Sequence, residues 1–318
     1  MVIYDNYGRP TLNFRVSVTQ RCNLSCTFCH REGEVSPTAE MTVDEIVRLT
    51  RIAVSLGIAR VKLTGGEPLV RPDIVQIVGG IAKIQGLKDL SMTTNGVLLS
   101  TYAKELRRNG LVRVNVNLPT LDPEKYRRIT GGNVRDVIEG VKAAVESGLY
   151  PVKLNMLILR GVNEDDIPRM IEFSRRNGTI LQLIELEPIN VDPSYYAQYH
   201  RPLDDIEEAL ARRAVRIKTR TDMQNRRVYF LPEAKVEVVP PIENTEFCAH
   251  CTRLRLTSDG KLKPCLMRND NLVDVLTPLR AGATDEELVQ RFIEAIKRRE
   301  PYYKPAWGGP SPRLGELL

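Results

Sequence analysis

Hydrophobic positions between Thr11 and Glu187 follow two alternating patterns. Short apolar runs typical of strands alternate with segments whose apolar residues recur every three or four positions, as in helices. The pattern predicts six strands, at residues 12–18, 60–63, 90–93, 112–118, 152–159 and 181–186. It predicts helices between them, at residues 43–56, 74–84, 102–108, 134–147 and 167–176. Such alternation indicates β/α units closed into a full or partial barrel, with functional loops at the carboxyl ends of the strands.

The pattern changes after Glu187, where prolines interrupt a polar stretch. A smaller α+β region is predicted there, with a helix at 203–213, strands at 227–231 and 235–239, a hairpin at 253–266 and a last helix at 285–299. Asp259-Gly260 is a strong turn signal inside that hairpin. Residues 301–318 are rich in Pro and Gly and are predicted to lack regular structure. We therefore expect a barrel domain over residues 1–220 and a C-terminal region over residues 221–318 that covers the barrel opening.

Composition adds little to this picture. The chain has 318 residues, 42% of them hydrophobic, and a net charge of +6, which does not by itself indicate nucleic acid. The densest basic stretch, residues 212–227, is interpreted first as solvated charge and second as a phosphate-binding face. No apolar run approaches the roughly 18 residues of a membrane span. Clustered cysteines fit a reducing compartment, so we expect a cytoplasmic protein without a membrane or nucleic-acid partner.

The cysteines carry the strongest chemical signal. All six fall into two triplets, Cys22-x3-Cys26-x2-Cys29 and Cys248-x2-Cys251-x13-Cys265. Each triplet is one thiolate short of a closed four-cysteine site, so a cubane iron–sulfur cluster bound there would keep one iron free for a small molecule. Two open metal sites in one chain indicate an enzyme.

The first triplet, with Phe28 directly before its last cysteine, resembles the signature of the radical S-adenosylmethionine (SAM) enzymes. Gly65-Gly66-Glu67-Pro68, at the end of the second predicted strand, resembles the same family's Gly-Gly-Glu-Pro segment. The resemblance implies SAM contacts by Phe28 and Gly66. It places two further SAM contacts at positions that depart from the common pattern, Asn117 and Glu187.

The segment from Phe247 to Leu266 resembles one branch of that family, the GTP 3′,8-cyclases of molybdenum cofactor biosynthesis, and His30-Arg-Glu-Gly33 resembles its archaeal members. The resemblance implies two [4Fe-4S] clusters, SAM as cofactor, and GTP bound at the second cluster. A deoxyadenosyl radical would abstract the ribose 3′ hydrogen, and the substrate radical would attack guanine carbon 8. The residues implied to bind GTP are Arg15, Lys62, Thr93, Lys153, Thr252, Arg253, Leu254 and Arg255. Cationic side chains in this set suit a triphosphate.

Two other functions stay open at this point. One is a twin-cluster radical SAM enzyme that modifies peptides, although such proteins usually carry more C-terminal cysteines. The other is a zinc-ribbon protein that binds nucleic acid through the second triplet and its basic neighbours. The expected partners of a cyclase are GTP and an electron donor, and the chain is expected to be a monomer or a homodimer.

Overall fold

A computed structural model describes residues 2–34 and 40–304. Six parallel strands lie side by side in chain order: β1 (Asn13–Ser17), β2 (Arg60–Thr64), β3 (Asp89–Thr94), β4 (Arg113–Asn117), β5 (Lys153–Leu157) and β6 (Ile180–Ile184). The crossover segments contain α1 (Val43–Ser55), α2 (Ile74–Ala82), α3 (Leu99–Arg108), α4 (Pro123–Thr130), α5 (Val134–Glu146) and α6 (Ile167–Arg176). The six predicted strands and the partial (β/α)6 barrel are confirmed.

The remaining elements follow the barrel in the chain. They are α7 (Pro193–Tyr199), α8 (Asp204–Arg213), β7 (Arg216–Arg220), β8 (Arg226–Phe230), β9 (Lys235–Val239), α9 (Thr245–Ala249), β10 (Arg253–Leu256), β11 (Lys261–Lys263), β12 (Val273–Asp274), α10 (Leu276–Arg280) and α11 (Asp285–Lys297). The predicted hairpin is present as β10 and β11, which pair antiparallel around a Gly260 turn with φ +75°. The prediction for residues 301–318 lies mostly outside the described residues.

The C-terminal strands extend the barrel sheet at both of its edges. Strand β10 pairs parallel with β1, and β9 pairs parallel with β6. Beyond β9, the antiparallel strands β8 and β7 end the sheet on that side. Within the described residues the strands therefore form one continuous sheet, in the order β12-β11-β10-β1-β2-β3-β4-β5-β6-β9-β8-β7. The sequence pattern predicted β8, β9, β10 and β11 near these places but not β7 or β12, and it gave no sign that these strands join the barrel.

The turn between β7 and β8 contacts residues at the start of β2 and directly before β10, which lie on the far side of the barrel strands in the sheet order. Asp222 in this turn accepts a hydrogen bond from Arg60 Nη1 at 2.6 Å, at the start of β2. Its backbone carbonyl accepts from the Thr252 hydroxyl at 3.1 Å, directly before β10. The backbone N–H of Gln224 donates to the carbonyl of His250 at 3.1 Å. Side-chain and backbone contacts at the tip of this hairpin thus link the β7–β8 end of the sheet to β2 and to the segment before β10.

Helix α1 shows how the crossover helices are fixed. Thr42 and Glu45 form a reciprocal capping box at its amino end, and Ile46, Leu49 and Ala53 are fully buried on one face. Thr42 satisfies a backbone donor at the helix start, and the apolar stripe drives packing on the sheet. None of the described helices is long and apolar enough to cross a membrane.

Candidate functional site: a cationic cavity inside the barrel

A cavity inside the barrel collects side chains from the parallel strands, their following loops and the C-terminal strands. Its lining includes ten Arg and Lys side chains, against four carboxylates. The cationic residues are Arg15, Arg31, Arg60, Lys62, Arg113, Lys153, Arg220, Arg226, Arg253 and Arg255. This surplus of positive charge in a concave site favours a polyanionic ligand.

The first cysteine loop follows β1, and all three of its thiols line the cavity. The backbone N–H of Leu24 donates to the Sγ of Cys22 at 3.4 Å, and the Asn95 amide lies 3.8 Å from the same sulfur. Burial, followed by the neighbouring thiols Cys29 and Cys22, raises the pKa of Cys26 to about 12. The protein alone therefore keeps this thiol protonated, and a bound metal has to displace its proton.

Gly65 and Gly66 let the loop after β2 approach the first cysteine loop backbone to backbone. A Cβ on Gly65 would lie 2.2 Å from the carbonyl oxygen of Thr19, and one on Gly66 would lie 2.3 Å from that of Arg21. Gly65 has φ +142°, which L side chains rarely adopt. The N–H of Gly66 donates to the Thr19 carbonyl at 2.7 Å. Glycine is therefore required at both positions by the space available.

Glu67, the next residue, holds the neighbouring loops together from inside. Its carboxylate accepts hydrogen bonds from the Thr94 hydroxyl at 2.7 Å and from the backbone N–H groups of Leu69 at 3.0 Å and Asn95 at 2.6 Å. Burial raises the pKa of Glu67 to about 7, although these hydrogen bonds oppose the shift. In this arrangement Glu67 orders the strand ends around the first cysteine loop.

The five cations predicted to bind triphosphate lie in one cavity. The register places Arg15 of β1 between Arg255 of β10 and Lys62 of β2, all at one level of the sheet. Lys62 Nζ donates to Asn115 Oδ1 at 2.9 Å, and burial, reinforced by nearby Arg113 and Arg15, lowers the pKa of Lys62 well below its ordinary value. Burying several cations together is costly unless an anion compensates them.

Glu32, which the sequence did not single out as a site residue, supplies part of that compensation. Its Oε1 accepts from the Thr64 hydroxyl at 2.7 Å and lies 3.5 Å from Arg15 Nη1. Burial raises the pKa of Glu32, but Arg15, His30 and Arg255 outweigh it and lower the pKa to about 2.

Glu32 and Arg255 each have one buried polar atom without a hydrogen-bond partner among the described residues. Glu32 Oε2 and Arg255 Nε lie 3.8 Å apart, and neither has a hydrogen-bond partner within the described part of the chain. Buried polar groups in native proteins are almost always paired, so this corner of the cavity is suited to a polar ligand.

The remaining predicted contacts divide into two groups. Phe28, Gly66, Thr93, Asn117 and Glu187 line the cavity. Leu254 is fully buried in the hydrophobic core, and the Thr252 hydroxyl accepts from Asn13 Nδ2 at 2.6 Å and donates to the Asp222 carbonyl. Because side chains alternate along β10, Arg253 and Arg255 face the cavity while Leu254 points away. Neither Thr252 nor Leu254 is among the residues that line the cavity, and the Thr252 carbonyl accepts hydrogen bonds from the backbone N–H groups of Leu12 and Asn13.

The second cysteine triplet lies at the border of the cavity, which its neighbours Phe247 and Leu266 line. Arg9 Nη1 donates to the Cys248 carbonyl at 2.9 Å, and buried Arg299 donates to the Cys251 carbonyl. Burial raises the pKa of Cys251, but Arg299, Arg9 and further arginines outweigh it and lower the pKa to about 7. Cationic groups around Cys251 thus favour the thiolate that a metal requires.

The donor sets fit iron–sulfur clusters. Three thiols at one strand end face the cavity, and in the second triplet Cys251 lies close to Arg9, Arg299, Arg253 and Arg255. Within residues 2–34 and 40–304, no three His, Cys, Asp or Glu side chains converge closely enough to hold a single metal ion. A cubane cluster is larger than one ion and holds its thiolates further apart.

Comparisons with known proteins show the family of the chain. Residues 16–174 match the Radical SAM superfamily, and residues 179–305 match the domain described as Molybdenum Cofactor Synthesis C. The chain is 50% identical over 309 residues to the "Probable GTP 3′,8-cyclase" of Methanothermobacter marburgensis, covering 96% of this chain and 100% of that protein. It is 51% identical over 311 residues to the protein of the same name from Thermococcus kodakarensis, covering 95% of this chain and 100% of the relative.

A solved structure shows the same fold at low sequence identity. Streptococcus suis SuiB, crystallised with its precursor peptide SuiA, superposes with a TM-score of 0.63 at 17% identity, over 92% of this chain and 66% of that chain. At this identity the likeness concerns the fold alone.

The parallel barrel, the Cys22–Cys29 loop and the Gly65-Gly66 approach define a radical SAM enzyme. The cofactors of such an enzyme are SAM and a [4Fe-4S] cluster, and the second cysteine triplet provides for a second cluster. The chain belongs to the radical SAM superfamily and, within it, to the GTP 3′,8-cyclase family.

Proposed function

We propose that this chain catalyses the radical cyclisation of GTP to (8S)-3′,8-cyclo-7,8-dihydroguanosine 5′-triphosphate, the first step of molybdenum cofactor biosynthesis. When bound, SAM and the first cluster supply a 5′-deoxyadenosyl radical that removes the ribose 3′ hydrogen. The resulting ribose radical then bonds to guanine carbon 8, and the cyclised nucleotide radical takes up one electron and one proton to give the dihydroguanosine product. The protein's own residues bind the nucleotide, orient it and exclude water from the cavity.

One observation carries this proposal: a single cavity joins the thiols of the first triplet to the cationic groups beside the second triplet. Arg253 and Arg255 lie on β10, two and four residues after Cys251. Arg15 pairs in register with Arg255. A nucleotide with its base at the second cluster and its phosphates on these cations would lie within the same cavity as the radical source. That arrangement suits a radical transfer, which needs the reacting atoms in contact.

The residue roles follow from this placement. We assign SAM binding to Phe28, Gly66, Asn117 and Glu187, and cluster binding to the two cysteine triplets. We assign GTP binding to Arg15, Lys62, Thr93, Lys153, Arg253 and Arg255, which all line the cavity, while contacts by Thr252 and Leu254 stay predictions. Guanidinium and ammonium groups form charge-assisted hydrogen bonds to phosphate oxygens, which makes the cationic set the main source of affinity.

The test is anaerobic turnover of purified protein with SAM, a reductant and GTP. We expect 5′-deoxyadenosine together with a cyclised nucleotide triphosphate, and about eight irons per chain for two cubane clusters. SAM cleavage that is indifferent to GTP but stimulated by a peptide would instead support the peptide-modifying alternative. Zinc at the second triplet would support the zinc-ribbon alternative.

Several finer points belong to the same proposal. An external electron donor is required because SAM cleavage consumes one electron and reduction of the cyclised nucleotide radical consumes a second. Six free cysteines in two metal-binding groups suit the reducing cytoplasm. A monomer or homodimer, and a division into residues 1–220 and 221–318, stay predictions.

A further inference from the structure

The basic stretch of residues 212–227 has two distinct environments. Arg216 and Lys218 on β7 and Arg227 on β8 are exposed. Arg226, at the start of β8, is buried, and the side chain of Arg220, at the end of β7, is 30% exposed. Arg220 and Arg226 face each other in the hairpin register, and both line the cavity. The hairpin therefore directs two of its arginines towards the candidate nucleotide site.

Both arginines share one carboxylate with a predicted GTP contact. Glu237 on β9 lies 3.1 Å from Arg220 Nη1 and 3.3 Å from Arg226 Nη1, and it also accepts from Lys153 Nζ. One negative charge thus serves three cations in a buried place. Attraction to these cations outweighs the effect of burial and lowers the pKa of Glu237 well below its ordinary value. The carboxylate is therefore ionised, and a surplus of positive charge remains beside it.

Donor groups remain for a ligand. The contacts of Arg226 found within the described residues use its Nε, which donates to the Met223 carbonyl at 2.8 Å, and its Nη1, which faces Glu237. A guanidinium has five N–H donors in a planar fork, so the other terminal nitrogen is left for a further acceptor. The contacts of the Asp222 turn with Arg60 and Thr252 hold this hairpin in place.

The charge balance indicates which ligand suits these donors. Seven cations meet here: the five predicted phosphate contacts and the two hairpin arginines. Only Glu32 and Glu237 contact them as carboxylates in the ion pairs of the described residues. A bound anion favours the protonated form of every cation, Lys62 included, and with all seven protonated the surplus is five positive charges. A monophosphate carries up to about two negative charges, and each further phosphate adds to that. A triphosphate matches the surplus far better than a monophosphate does.

We propose that Arg220 and Arg226 bind the phosphate chain of the nucleotide and make the site selective for the triphosphate over the monophosphate. This inference rests on the proposed function, because it takes GTP as the substrate. It adds a strand hairpin outside the parallel barrel to the nucleotide site, and it gives Glu237 the role of holding three cations in position.

Equilibrium binding of GTP, GMP and inorganic triphosphate to the anaerobic, cluster-containing protein tests the inference. Arg226→Gln should weaken GTP and inorganic triphosphate binding about 10- to 100-fold, as expected for the loss of charge-assisted hydrogen bonds. Its affinity for GMP should change less than about threefold. The matched control is Arg227→Gln, one residue along β8, whose side chain is 58% exposed and pairs with Glu207. This control should leave all three affinities unchanged.

The outcomes separate this inference from the proposed function. If the wild-type protein turns over GTP and Arg226→Gln binds GTP as tightly as the wild type does, the inference is wrong and the proposed function stands. If Arg226→Gln loses affinity for GTP and for GMP by the same factor, the proposed selectivity for the triphosphate is wrong. Wild-type protein that binds neither GTP nor inorganic triphosphate overturns both proposals. If thermal unfolding shows that Arg226→Gln does not fold, Arg220→Gln decides by the same criteria, because its more exposed side chain can be removed with less disruption.

Discussion

Replacing Gly65 by alanine tests the close approach that holds the SAM site against the first cysteine loop. The new Cβ would lie 2.2 Å from the Thr19 carbonyl oxygen, far inside van der Waals contact, and its neighbour is backbone that cannot rotate away. Thr19 lies three residues before Cys22, so any displacement of this carbonyl reaches the first thiolate. Gly178→Ala is the matched control, because Gly178 also has a positive φ, +62°, but its Cβ would meet nothing within 4 Å.

The two variants divide the cost into backbone strain and steric overlap. Positive φ costs an alanine about 1–2 kcal/mol at the left-handed φ of Gly178, and the φ of +142° at Gly65 costs at least as much. Overlap in a packed site adds about 1–3 kcal/mol, which only Gly65→Ala has. For a chain of this size that extra loss corresponds to a melting temperature roughly 2–6 °C below that of the control.

The assay combines thermal unfolding with iron content and SAM binding under anaerobic conditions. Gly65→Ala should unfold at a lower temperature than Gly178→Ala and should bind SAM at least about tenfold more weakly, because about 1.4 kcal/mol of strain at the site already corresponds to that factor. Equal melting temperatures and equal SAM affinities for the two variants would refute the reasoning.

Three further changes have defined outcomes. Arg255→Gln should weaken GTP binding about 10- to 100-fold, because it removes the cation beside Glu32, while iron content stays normal; unchanged affinity would remove Arg255 from the site. The pKa of Lys153 is lowered by burial to about 8, so the group is charged below that pH, and GTP affinity should fall as pH rises past about 8. Lys153→Arg should flatten that fall, and a pH profile identical to wild type would contradict the assignment. Arg299→Met should reduce iron from about eight to about four per chain by disturbing the Cys251 loop, and full iron content would show that the loop does not need this arginine.

The barrel was predictable because each of its elements carries a local pattern. Strands such as β2 and helices such as α1 are short-range features, and the Cys22–Cys29 spacing and Gly65-Gly66 are contiguous motifs. Helix α3 begins at Leu99, three residues before its predicted start, because apolar periodicity does not mark the first turn. Helices α4 and α7 were not predicted, since both are short and α4 has few apolar residues.

The rest of the site depends on contacts between distant positions. Strand β7, Arg-Ile-Lys-Thr-Arg, is exposed along most of its length and gives no strand signal, so the sequence could not show that its hairpin meets Arg60 and Thr252. Glu32 and Glu237 resemble ordinary surface acids until the fold buries them among arginines. The one sequence feature that could have indicated Glu32 as a site residue was its place in His30-Arg-Glu-Gly33, directly after the first triplet.

The most direct test of the central claim follows one hydrogen atom. GTP deuterated at the ribose 3′ position is incubated anaerobically with the protein, SAM and a reductant, and the 5′-deoxyadenosine formed is analysed by mass spectrometry. The cavity that joins the Cys22–Cys29 loop to the cations of Arg253 and Arg255 predicts deuterium in the 5′-deoxyadenosine and a cyclised triphosphate as the second product. 5′-Deoxyadenosine that forms at the same rate without GTP, or that carries no deuterium, would contradict it.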